Sequence, residues 1–138
     1  MKISFVAGFG PITRDPAASK AWWEATSGLE LAELATDYYG TDEVDGVKAF
    51  AIWPLSQAAE NTFGSPDWPA DIPAPQAWIE LDVKSAEAVR HAAEELATKG
   101  HRLLREAREE PWKQTTARLL SPEGLLVGIS YTPWMHEE

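Results

Sequence analysis

Gln76-Ala-Trp-Ile-Glu-Leu-Asp-Val83, continued by Lys84-Ser-Ala-Glu-Ala-Val-Arg-His-Ala-Ala-Glu-Glu-Leu-Ala-Thr-Lys-Gly100, is the stretch whose reading decides the fold. Its first part alternates with the two-residue period of a strand. Ala77, Ile79, Leu81 and Val83 share one face, and Gln76, Trp78, Glu80 and Asp82 share the other. The spacing then becomes helical. Ser85 serves as an N-cap, Glu87 lies in the first turn, and Ala86, Val89, Ala93, Leu96 and Ala97 form a stripe that ends at Gly100. Such a helix lies back on the apolar face of its strand, so the face carrying Trp78 and Glu80 looks the other way.

Working outward, His101 to Arg108, Thr115 to Leu120 and Leu125 to Thr132 read as three more strands. Ser121-Pro-Glu-Gly124 makes a hairpin between the last two. Upstream, residues 65 to 75 carry four prolines and Trp68, a stiff linker. Before it, residues 2 to 13 predict a strand with a bend near Gly8, Gly10 and Pro11. Asp15-Pro16 opens a helix that runs to Ser27-Gly28, with Trp22 and Trp23 spanning a wide buried face. Leu29 to Thr36 and Val47 to Trp53 are expected to be antiparallel neighbours joined by a polar, turn-rich segment. Within the second, Ala49, Ala51 and Trp53 share one face, and Lys48, Phe50 and Ile52 the other. Ser56 to Gly64 predicts a Ser-capped helix of about two turns. Pro133 to Glu138 is expected to be a tail packed by its tryptophan. Both halves thus read strand, helix, strands. The expectation is one domain of 138 residues, with modules 1–64 and 76–138 around the linker, and a cleft on the concave side of the shared sheet.

Composition narrows the function classes. The net charge of −10 argues against nucleic acid, and no apolar run reaches membrane-spanning length. With no cysteine there is no disulfide scaffold or thiolate metal site, which fits a cytoplasmic protein. The histidines, His91, His101 and His136, show no metal-ligand spacing, and no nucleophile elbow is present. Glu80 and Asp82 share the Trp78 face as candidate general bases, and Glu80 is preferred because it lies at the middle of the strand. Its alternative is a structural pair with Arg102, Arg105 or Arg118. Seven tryptophans are unusual in so short a chain; some belong to the core, but the flat face and single donor of a tryptophan suit it equally to stacking a ligand. Trp78 is expected to line an apolar cup with Phe50, Trp53, Phe63 and Trp112 as neighbours, closed by Glu80 and Gln114.

The chain resembles the vicinal oxygen chelate superfamily, which includes glyoxalases, bleomycin-resistance proteins and extradiol dioxygenases. The resemblance rests on Asp15 followed by Ala21-Trp22-Trp23 and Ser27-Gly28-Leu29-Glu30-Leu31, and on Ala97-Thr-Lys-Gly100, Glu110-Pro-Trp-Lys-Gln114 and Arg118-Leu-Leu-Ser-Pro-Glu-Gly124. It implies an α+β fold of two βαβββ modules forming a cupped mixed sheet with helices outside, often as a homodimer, whether the modules pair within one chain or swap between subunits. Pro54 to Gly64 departs from the pattern and puts the fourth strand of the first module in question. Active relatives hold a divalent metal in the cup. The ligand positions carried over fall at Gly8, Trp78 and Gly128, so the resemblance implies no metal and no cofactor here. The expected function is sequestration of a planar or aromatic compound, a natural product with positive charge favoured by Glu80 and the acidic surface, as in antibiotic-resistance members. Gly8 and Gly128 would make room for it. The alternative is a lyase, isomerase or ring-modifying enzyme using Glu80 as base.

Overall fold

A computed structural model describes residues 1–136. Eight strands form one open mixed sheet: β1 (Phe5–Thr13), β2 (Ala32–Ala35), β3 (Tyr38–Thr41), β4 (Phe50–Pro54), β5 (Ala77–Asp82), β6 (Leu103–Glu109), β7 (Thr115–Leu120) and β8 (Leu125–Tyr131). Their order across the sheet is β2-β3-β4-β1-β5-β8-β7-β6. The α-helices are α1 (Pro16–Ser27), α2 (Leu55–Phe63) and α3 (Ala86–Thr98). Within each half the first strand lies parallel to the last, β1 to β4 and β5 to β8. The halves meet where β1 runs antiparallel to β5. The repeated βαβββ unit therefore joins through its two first strands within a single chain.

The alternation in β5 does what its sequence dictates. Leu81 and Val83 pack with Val89, Ala92 and Ala93 of α3 and with Ala117 and Ile129, forming the core beneath that helix. Ser85 caps α3 by accepting from the Ala88 N–H, and Asp15 caps α1 by accepting from the Ala18 N–H, with Pro16 in the first turn. The bend expected in β1 is a register shift between Val6 and Gly8. Ser121 and Gly124 close the β7–β8 turn.

Four expectations need correction. The segment after β2 is not merely a connection: Tyr38 to Thr41 form β3, so β2 and β4 are separated by a strand instead of pairing. A two-residue turn holds this hairpin, with Asp37 at φ 60°, a conformation that Asp tolerates better than most side chains. The first module consequently keeps its fourth strand, β4, and the departure at Pro54 is an added helix, not a lost strand. That helix, α2, starts at Leu55 after Pro54 and has no side-chain cap, so Ser56 does not cap it. Finally, Trp22 is 57% exposed and α1 buries no residue fully, while the tail's Trp134 is 56% exposed. The tail is held instead by His136, whose Nε2 lies 2.6 Å from Asp82 Oδ2 and whose ring packs on Phe5 and Tyr131.

The position of α2 governs the site. Helices α1 and α3 cover the convex face, but Leu55 and Ala58 of α2 pack with Ile12, Ala51, Trp78 and Leu126, which line the concave one. One of the three helices is therefore inside the cup. It fills one side of the basin and leaves the rest open.

Candidate functional site

Across the floor of the cup runs one row of paired positions: Arg118 on β7, Gly128 on β8, Glu80 on β5 and Gly8 on β1. Opposed residues on neighbouring strands point to the same face, so the two large side chains share this floor with two glycines. The glycines hold no open space. A methyl group on Gly128 would strike the Glu80 carboxylate, and one on Gly8 would strike the Trp78 ring. Each glycine is the recess into which a neighbour's bulk folds.

Glu80 is 4% exposed, with both carboxylate oxygens engaged. Oε1 accepts from Arg118 Nη1 at 3.0 Å, and Oε2 accepts from the Ser130 hydroxyl. Of the three arginines considered from sequence, Arg118 is its partner. A second buried pair lies alongside, Arg105 Nη1 at 2.7 Å from Glu110 Oε2. Burial pushes the Glu110 carboxyl up, but Arg105, Asn61 and Arg108 together hold it below the ordinary carboxylate value. Asn61 of α2 ties the two pairs together. Its Oδ1 accepts from Arg118 Nε at 2.7 Å and from Arg105 Nη1 at 3.2 Å, its carbonyl accepts from Arg105 Nη1 at 2.8 Å, and its Nδ2 donates to Glu110 at 3.2 Å. A buried charge is tolerable only when it is paired and hydrogen-bonded in this way.

Above this floor opens a cleft of about 680 Å³. Trp53, Trp78, Trp112, Trp134 and Tyr38 contribute its aromatic walls, and Ala7, Ala35 and Ala49 add apolar surface. Gln114 is fixed at the rim, accepting from Trp112 Nε1 at 2.9 Å and donating to Thr132 Oγ1 at 2.8 Å. Thr132 in turn donates to Asp82 at 2.8 Å.

Six of the nine residues expected to bind a ligand come together here: Gly8, Trp53, Trp78, Glu80, Trp112 and Gln114. The other three lie elsewhere. Phe50 faces α1 and packs edge-on against Trp23, because alternation in β4 puts it opposite to Trp53. Phe63 packs against Trp68 beside α2. Gly128 lies beneath the Glu80 carboxylate. Trp78 faces the concave side, as its strand required, yet is only 6% exposed. Its Nε1 donates to the Ala51 carbonyl at 3.1 Å, and its ring is packed in one cluster with Leu55 and Ala58 of α2 and with Ile12 and Leu126. The accessible stacking surface is therefore that of Trp112, 53% exposed, and Trp134, 56% exposed, with half-buried Trp53, whose ring also carries the Arg118 guanidinium 5.1 Å from its centroid. Tyr38, Asn61, Arg118 and Trp134 went unnoticed as lining residues. Alternation identified no face for Tyr38, which sits in a four-residue strand, and no local signal shows that α2 delivers Asn61 into the cup.

The donor set does not fit a divalent ion. Glycines stand at two of the positions carried over from the resemblance and an indole at the third. The nearest carboxylate, Glu80, already faces a cation in Arg118. Among the described residues no group of three His, Cys, Asp or Glu is placed to hold a metal. No described helix is long and apolar enough to cross a membrane.

Comparison with known proteins places the fold. No family model matches the chain, and no curated protein sequence matches it significantly. Solved structures do. A Streptomyces coelicolor methylmalonyl-CoA epimerase variant in complex with 2-nitronate-propionyl-CoA is similar at a TM-score of 0.58 and 14% identity, over 99% of this chain and 100% of that one. A glyoxalase/bleomycin resistance protein/dioxygenase superfamily member from Vibrio splendidus is similar at 0.56 and 17% identity, over 92% and 97%. An NAD-dependent benzaldehyde dehydrogenase from Legionella pneumophila is similar at 0.57 and 12% identity, over 90% and 96%. The chain has the vicinal oxygen chelate fold.

Proposed function

We propose that the protein binds a planar, uncharged aromatic molecule in the cleft and sequesters it without coordinating a metal. One observation carries this reading. The carboxylates and guanidinium groups deepest in the cup are matched to one another through Asn61, while the walls above them are aromatic. Such a floor rewards burial of a flat apolar ligand, and its own carboxylates, Glu80 and Glu110, are already engaged by arginines. With Glu80 paired to Arg118, the ground for expecting a cationic ligand disappears. Glu80 as a general base is disfavoured for the same reason, since taking up a proton would break its bonds to Arg118 and Ser130. The fold's use in an epimerase supports the enzyme reading only as analogy. A homodimer and a cytoplasmic setting remain part of the proposal.

Tryptophan quenching by a panel of bicyclic and tricyclic aromatic compounds tests it. Trp53→Ala should weaken binding of any quenching compound about ten-fold, roughly 1.4 kcal/mol. Trp22→Ala, on the far side of the sheet, should leave affinity unchanged. Equal losses in both variants, or no binding across the panel, would overturn sequestration in the cleft. Conversion of a panel compound that disappears in Glu80→Gln would replace it with the enzyme reading.

A further inference from the structure

Most polar side chains on the cleft floor already have a partner within the protein, whereas the Glu60 carboxylate and the Trp53 and Trp134 N–H groups on its walls have none among the described residues. Glu80, Asn61 and Glu110 are joined to the arginines, Gln114 to Trp112 and Thr132, the Gln57 amide to the Thr36 carbonyl and the Trp78 N–H to the Ala51 carbonyl. Tyr38 is different. It lies on the concave side of β3, packs against the cluster containing Trp78 and Leu126, and lines the cleft, but its hydroxyl makes no hydrogen bond among the described residues. The neighbouring Arg118 uses Nη1 for Glu80 and Nε for Asn61. Its Nη2 has no bond of its own among the described residues.

Building on the proposed sequestration of an aromatic ligand, we infer that Tyr38 and Arg118 form a donor pair that anchors an oxygen acceptor, so that the ligand class is a planar aromatic ketone or quinone and not a plain hydrocarbon. The charge pattern favours a neutral acceptor over an anion, because Glu80, 3.0 Å from Arg118, already offsets its charge and leaves no net positive charge for a carboxylate or phosphate. Burial, and then the Glu80 charge, push the Tyr38 phenol up to about 12, against a weaker opposing effect of Arg118. The hydroxyl therefore keeps its proton and remains a donor throughout the neutral range. A buried donor that finds no acceptor in a bound ligand loses its hydrogen bond to water without replacement. This gives the site a means of rejecting hydrocarbons of the same shape.

A matched pair of probes tests the inference by calorimetry: 2-methyl-1,4-naphthoquinone and 2-methylnaphthalene, which share a ring system and differ in the two carbonyls. The chain has no cysteine to trap the quinone covalently. The quinone should bind about ten-fold more tightly than the hydrocarbon, and Tyr38→Phe should cut that preference to about three-fold or less, Arg118 remaining as one donor, while leaving hydrocarbon affinity and the melting temperature unchanged. Equal binding of both probes to the wild-type protein, or a quinone preference undiminished in Tyr38→Phe, would overturn the anchor while leaving the aromatic cleft standing. Failure of both probes to bind would overturn the cleft reading and the anchor with it.

Discussion

Arg118→Met is expected to destabilise the protein by about 3–5 kcal/mol, as removal of one member of a buried ion pair does. Glu80 would remain inside the cup with Ser130 as its one remaining partner, and Asn61 would lose one of the two guanidinium groups that hold α2 over the floor. Most of the cost comes from leaving a carboxylate uncompensated, not from the intrinsic strength of the pair. The double variant Glu80→Met, Arg118→Met should therefore recover much of the loss, because the two residues are directly bonded and their effects cannot add. Urea unfolding of the two single variants and the double variant measures this. Additive losses, or a single-variant loss below about 1 kcal/mol, the range of exposed pairs, would show that the floor charges do not neutralise each other.

Trp78→Ala should cost a similar amount, about 3–5 kcal/mol, through the cavity it leaves. The indole is packed by Ile12, Leu55, Ala58 and Leu126, touches Trp53 edge-on at a centroid distance of 5.9 Å, and lies over Gly8. Because α2 rests on it, the substitution should also loosen that helix, seen as faster amide exchange at Ala58 and Ala59 than at Ala92 and Ala93 of α3. A loss of less than about 1 kcal/mol would mean that the ring is a ligand platform and not part of the core. Trp78 should register mainly in stability and Trp53 mainly in binding.

These roles show how far the sequence could be read. The two-residue alternation of β5 correctly turned Trp78 and Glu80 away from α3, since period alone decides which face a strand residue takes. Caps at Asp15 and Ser85 were visible because capping is local chemistry. By contrast, β3 was hidden: Tyr38 to Thr41 is too short to show a period and sits between Asp37 and a run of turn formers. The helicity of α2 was legible, but its placement within the cup depends on Asn61 meeting two arginines more than forty residues away. Phe50 lies off the cleft although the alternation of β4 is legible, because that alternation turns it to the face opposite Trp53, towards Trp23 of α1. Glycines at 8 and 128 marked space correctly, yet the protein's own Trp78 and Glu80 fill it. Composition could not distinguish a recess for a ligand from a recess for a neighbour.

The seven tryptophans supply the most direct measurement, since each indole N–H gives its own signal in a ¹⁵N–¹H correlation spectrum. With signals assigned by single Trp→Phe variants, titration with 2-methyl-1,4-naphthoquinone should shift those of Trp53, Trp112 and Trp134 around the cleft. Trp22 and Trp23 on the convex side should stay in place. Shifts confined to Trp22 and Trp23, or none at saturating probe, would contradict a cleft whose floor is neutralised from within and whose aromatic walls do the binding.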